Sequence, residues 1–153
     1  LIMIQRIQSV YLLLTAIFYT IILFVPIAYL GNEYVFNAWS FSTIKGIKLD
    51  NTFYLALMAI AIAIISLVAI FMYKNRQRQS KVCLSLVVLI MIFCVFIYFI
   101  YPEFMLKRIV GPNLVVNYTV WSILSVVPFL FVILANKAIL KDDKKIRAAD
   151  RLR

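Results

Sequence analysis

Histidine is absent from the chain, and only two cysteines, three glycines and six acidic side chains occur among its 153 residues. Without histidine there can be no His-held haem, no His-type zinc site and no imidazole proton relay. The cysteines, Cys83 and Cys94, are eleven positions apart in one apolar run, on one helical face but about three turns from each other. They cannot bond within that helix, and they read as small packing residues. No glycine-rich phosphate loop is present. Most telling is where charge is missing: residues 9–30, 52–73, 82–101 and 118–135 contain no Asp, Glu, Lys or Arg. Ionisable side chains inside a membrane mark pumps and coupled transporters, so this absence argues against both.

Apolar residues are there instead. They make up 65% of the chain against 14% charged, with a mean hydropathy of +1.01. A soluble domain is nearer half apolar and a quarter charged, so lipid is the expected solvent for most of this chain. Each of the four runs is about 20 residues, long enough as a helix to cross about 30 Å of hydrocarbon. The first ends in Val25-Pro26-Ile27-Ala28-Tyr29-Leu30, without a small-residue cleavage site, and reads as a retained helix rather than a signal peptide. Met3 reads as the initiator, after two leading residues. The fold class expected is all-α and integral to the membrane: a single membrane domain, 1–153, forming a four-transmembrane-helix bundle.

The net charge of +10 is placed, not spread. Lys74, Arg76, Arg78 and Lys81 form a basic turn between the second and third runs, and a tail, 136–153, holds seven more cations. With Arg6, twelve of the sixteen Lys and Arg fall at the N-terminus, this turn and the tail. The positive-inside rule then puts N and C termini in the cytoplasm. This placement accounts for the charge without a nucleic-acid partner. The tail lacks Gly and Pro, so helix continues into it, with Asp143 and Arg147 facing each other four residues apart. Its cations Lys144, Lys145, Arg147, Arg151 and Arg153 are candidates for contact with lipid headgroups or an acidic partner.

Other stretches carry structural expectations. In the second run Ala56, Ala59, Ala63 and Ser66 share one face, where small side chains let helices approach closely. Mid-span Pro128 bends the fourth run, with Ser122 or Ser125 offsetting the lost backbone bond. Tyr98 to Tyr101 form an aromatic belt, and Pro102 a helix stop. The loop 31–51 is aromatic and β-prone, with strands expected near 34–41 and 44–49, and Leu114 to Val116 is a further candidate. Phe36, Trp39 and Phe41 are candidate partner contacts. Glu33, Asp50 and Glu103 are the only other acids outside the tail, and they read as solvated loop side chains rather than a metal or catalytic pair.

The two ends are the most specific stretches. Met3-Ile4-Gln5-Arg6-Ile7-Gln8-Ser9-Val10-Tyr11-Leu12, Ala135-Asn136-Lys137-Ala138-Ile139 and Ala148-Ala149-Asp150-Arg151-Leu152-Arg153 resemble a domain-of-unknown-function family of small four-span bacterial inner-membrane proteins. The resemblance implies location and topology, and brings no activity or site residues. The leading functional expectation is a non-catalytic structural or accessory subunit of a larger inner-membrane complex, with membrane lipid and other membrane subunits as partners and no cofactor beyond bound lipid. A homo-oligomeric small channel or transporter is the alternative, and a membrane enzyme using the outer carboxylates ranks third.

Overall fold

The computed structural model describes residues 2–113 and 115–152, and the side chains among them except those of 2–6, 105 and 106. Helix α1 (Ile2–Ile22) leads into strands β1 (Ala28–Leu30), β2 (Tyr34–Phe36), β3 (Ser40–Thr43) and β4 (Lys48–Asn51). Helices α2 (Phe53–Phe71) and α3 (Arg76–Val95) follow, and α3 runs on through a π-helical segment, Phe96–Leu106, into α4 (Lys107–Val110). Strand β5 (Val116–Tyr118) and α5 (Ile123–Arg151) complete the chain. Both α1 and α3 pack against α2 and α5.

The expected all-α, four-span bundle is not what forms. Five strands pair antiparallel in the order β4-β3-β2-β1-β5. Among the described residues, three helical stretches are long and apolar enough to cross a membrane: Phe53–Lys74, Arg76–Val110 and Val120–Arg151. The N-terminal helix contributes a shorter apolar stretch, Ile7–Ile22. With three such stretches among the described residues, the expected placement of both termini on one side, which belonged to the four-span bundle, loses its support as well. The misreading has a local cause. Residues 23–30 are as apolar as the helix before them, and hydropathy does not separate a buried strand from a helix end. Leu23 and Phe24 close the last turn onto Thr20 and Ile21, Pro26 offers no N–H, and Ala28 to Leu30 pair with β2 on one side and β5 on the other.

Pro102 does not stop its helix either. It lies inside the π segment, whose wider turn sends the Lys107 N–H to the Pro102 carbonyl. Of the strand candidates near Leu114, the pairing residues are Val116 to Tyr118; Leu114 lies outside the described residues.

One cross-strand row seats the sheet on the helices. Tyr118, Ala28, Phe36, Phe41 and Asp50 are successive partners across the five strands and share a face. The Tyr101 ring, fully buried, stacks on Phe36 with centroids 4.5 Å apart and planes within 5°. Its hydroxyl donates to Asp50 Oδ2 at 3.2 Å. From the other end of the row, the Tyr118 hydroxyl reaches the Ile97 and Tyr98 carbonyls, each at 3.4 Å. Tyr101 is therefore a wedge between sheet and helix rather than a lipid-facing belt residue.

The small face of α2 is enclosed: Ala56, Ala59 and Ser66 are fully buried and Ala63 nearly so. The Ser66 hydroxyl is satisfied within its own helix, by the carbonyls of Ile62 and Ala63. This is the side that lets α2 meet its neighbours closely. Ala59→Leu or Ala63→Leu should overfill the seam and cost about 1–3 kcal/mol, whereas Ile64→Leu, on the exposed side, should change little. Thermal unfolding of the four proteins in mild detergent checks this; equal transitions would mean that the seam is not close-packed.

Candidate functional site

The most heavily built polar region lies where the basic turn meets the tail. Met72–Lys74 form a 3-10 turn ending α2, and Asn75 caps α3, its side chain accepting from the Arg78 N–H at 3.3 Å. The turn therefore starts a new helix at once and sets the residues that follow in a fixed register. Arg76 reaches α5, where its Nη2 lies 3.1 Å from Asp142 Oδ2. The carboxylate is 2% exposed and the arginine 14%. The pair is a close electrostatic contact whose alignment falls short of a hydrogen bond at Oδ2. One turn further in, Gln79 Nε2 donates to the Ala69 carbonyl of α2 at 2.9 Å, and the Ser80 hydroxyl donates to Asn136 Oδ1 of α5 at 2.6 Å. Gln8 of α1 is also buried, and its Nε2 and Gln79 Oε1 have no protein partner among the described residues. Beside the turn lies a groove of about 460 Å³ lined by Tyr73, Lys74, Asn75, Arg76, Gln77, Asp143 and Ile146.

At the start of α5 a second set of contacts gathers around Ser125, three residues before Pro128. Its carbonyl accepts from the Tyr19 hydroxyl of α1 at 3.0 Å and from the Cys94 thiol of α3 at 3.4 Å. The Tyr98 hydroxyl lies 2.8 Å from the Ser122 carbonyl, to which it donates, and 3.1 Å from Ser125 Oγ. A proline loosens the helical turn before it, and here that turn's polar groups tie three helices together. The cysteines remain apart, Cys83 buried and Cys94 half-buried, both as free thiols.

At the sheet end the candidate aromatics separate. Phe36 and Phe41 are enclosed by the chain itself, so neither is available to a partner. Trp39 remains 41% exposed, its indole N–H donating to the Leu23 carbonyl at 2.7 Å and its ring against Phe53. The expected aromatic docking surface thus narrows to one residue. Glu33, Asp50 and Glu103 are not brought together: Asp50 accepts from Tyr101 and Glu103 pairs with Lys107 at 2.6 Å, while the backbone carbonyl of Glu33 accepts from Ile44. Among the described residues, no three His, Cys, Asp or Glu side chains lie where they could share a metal ion. Burial, then the neighbouring Tyr98 and Glu103, push the Tyr118 phenol up to about 12, so it stays protonated and able to donate.

Of the basic candidates, Lys74, Arg78 and Lys81 are exposed, and Arg76 alone of the turn is drawn into an ion pair. In the tail, Lys144, Lys145, Arg147 and Arg151 are exposed, with Arg147 paired to Asp143 at 3.0 Å as the spacing implied. Arg153 lies outside the described residues. Sequence reasoning missed Asp142. Its signal was faint but present: among the tail's acids it lies three residues beyond Ile139 and seven beyond Ala135, on the buried face of α5.

The two halves of the Arg76–Asp142 pair should respond unequally to truncation. Arg76→Ala leaves a buried carboxylate without its cation, which should cost about 3–5 kcal/mol. Asp142→Ala frees an arginine that can turn to water, and should cost less. The double variant should recover part of the loss. Thermal unfolding of all three decides it, and equal or reversed losses would mean that burial of Asp142 is not what the pair offsets.

No curated protein and no solved structure matches the chain. A family model does, over residues 4–152, nearly its whole length, and agrees with the resemblance carried by its ends. The chain belongs to the family described as Domain of unknown function (DUF4293).

Proposed function

We propose that the chain is a non-catalytic structural or accessory subunit of a larger assembly in the bacterial inner membrane. The observation that supports this reading most is how the interior polar groups are used. Tyr19, Tyr98, Tyr101, Ser80 and Gln79 each donate to another part of the same chain, and these contacts hold helix to helix or helix to sheet. Groups so engaged are poorly placed to act on a substrate, since catalysis needs donors and bases aimed at a reacting atom. The runs between the two ends carry no ionisable acid or base that could ferry a proton or ion. The basic turn and the described part of the tail, with ten of the sixteen cations, lie at one end of the helices and the sheet at the other. The positive-inside rule then gives the basic end to the cytoplasm. The sheet presents its second face, with Tyr29, Val35, Ser42, Asn117 and Lys48 in one row, on the outer side.

Purification of the tagged full chain from native membranes in mild detergent tests this directly. A different membrane protein should accompany it at fixed stoichiometry. Recovery as a monomer of 17.7 kDa would contradict the proposal. Recovery as a homo-oligomer that conducts ions or solutes in vesicles would replace it with the channel reading.

A further inference from the structure

The basic end holds a surface that the fold alone does not require. Helices α3 and α5 run antiparallel: Arg76 meets Asp142, Ser80 meets Asn136, Cys94 meets Ser125 and Tyr98 meets Ser122. The Ser80–Asn136 bond fixes where the seam between them lies. At about 100° per residue, Lys81 and Lys137, each one step beyond that bond, turn to the same outer side of the seam. Lys141 and Lys144 follow Lys137 on that side at helical spacing, and Arg78 lies nearby on α3. All five are exposed. The acids go the other way. Asp142 points inward to Arg76, Asp143 pairs with Arg147, and Asp150 falls on the same half-turn as these two. The tail helix thus separates its charges by side. Among the described residues no ion pair neutralises any of the five seam cations.

What lies above the cations on the same side is apolar. Leu84 and Val88 of α3 and Leu130 and Val126 of α5 follow on the outer side, each about half exposed. From Lys137 to Lys144 is about 10 Å along the helix, comparable with the roughly 5–8 Å depth of a headgroup layer. Cations at headgroup depth beneath an exposed apolar face match one kind of molecule in both charge and length.

We propose that the outer seam of α3 and α5 binds a phospholipid with two phosphates in its headgroup, with Lys81, Lys137, Lys141, Lys144 and Arg78 holding the phosphates and Leu84, Val88, Leu130 and Val126 the acyl chains. Cations on two helices can each engage a separate phosphate, whereas a single phosphate would leave one wall unpaired. This inference rests on the membrane reading above and adds a ligand class and a site to it.

Native mass spectrometry of the full chain in mild detergent, titrated with tetraoleoyl cardiolipin, dioleoyl phosphatidylglycerol or dioleoyl phosphatidylcholine, tests the site. Cardiolipin should bind most tightly, phosphatidylglycerol less so and phosphatidylcholine least. The variant K81Q/K137Q/K141Q should bind cardiolipin about tenfold or more weakly, given the contribution of each basic residue near anionic lipid. K81R/K137R/K141R should retain binding, and K45Q/K48Q/K107Q, altered at the sheet end, should match the unaltered chain. Thermal transitions of the variants show whether each is folded. Unchanged cardiolipin affinity in the folded seam variant, or an equal loss in the sheet-end variant, would overturn the proposal. Phosphatidylglycerol binding as tightly as cardiolipin would overturn its two-phosphate part. No anionic preference, with a polyglutamate peptide binding in a seam-dependent manner, would overturn it in favour of an acidic protein. An alkaline carbonate wash separates the two levels: release of the chain from membranes defeats the membrane reading itself, and retention without lipid preference defeats only this site.

Discussion

A polar group buried between the apolar helices of this chain is shut off from water. In hydrocarbon an unpaired donor or acceptor costs several kcal/mol, about as much as much of the stability of a small domain. The arrangement of α5 follows from that constraint. Its interior polar groups meet partners at three depths: Ser122 and Ser125 with tyrosines of α1 and the π segment, Asn136 with Ser80, and Asp142 with Arg76. These contacts also fix register, because hydrocarbon between apolar helices favours no particular alignment as water would. The small face of α2 allows close approach, and the polar contacts decide which heights coincide.

The two ends differ in kind. At one, a sheet sits on the helices through aromatic stacking and a single carboxylate accepted into a tyrosine contact. At the other, charge is sorted: Arg76 and Asp142 turn inward, Arg147 pairs with Asp143, and Arg78, Lys81, Lys137, Lys141 and Lys144 are exposed on the outer side of α3 and α5. The same ion pair that locks the turn to the tail keeps the outward cations of both helices at the same end of the seam. A structural contact and the proposed lipid site are thus two sides of one arrangement.

Much of this was legible in the sequence. The charge-free runs 52–73 and 82–101, joined by the basic turn, are long apolar helices in the structure. The spacing of Ala56, Ala59, Ala63 and Ser66 points to a face that is buried. The lack of Gly and Pro in the tail corresponds to a helix unbroken to Arg151. The failures share a cause, which is that hydropathy reports burial without saying by what. Ala28 to Leu30 are buried by neighbouring strands rather than by lipid, so an apolar helix end was in fact β1, and the all-α class fell with it. Tyr101, Phe36 and Phe41 look like outward aromatics in the sequence because nothing local distinguishes a belt residue from a wedge under a sheet. Asp142 looked like one of three tail acids; only its neighbour across the fold, Arg76, gives it a role.

The central claim is that α5 is held to its neighbours by paired polar groups beyond its apolar stretch, not merely by immersion in lipid. Amide hydrogen exchange along α5 of the full chain in mild detergent tests it most directly. The account predicts slow exchange continuing past Ala135, where the charge-free run ends, through Asp142, and rapid exchange beyond Lys144. Protection that stops at Ala135 would contradict it, since the hydrogen bond of Asn136 and the ion pair of Asp142 would then be holding nothing.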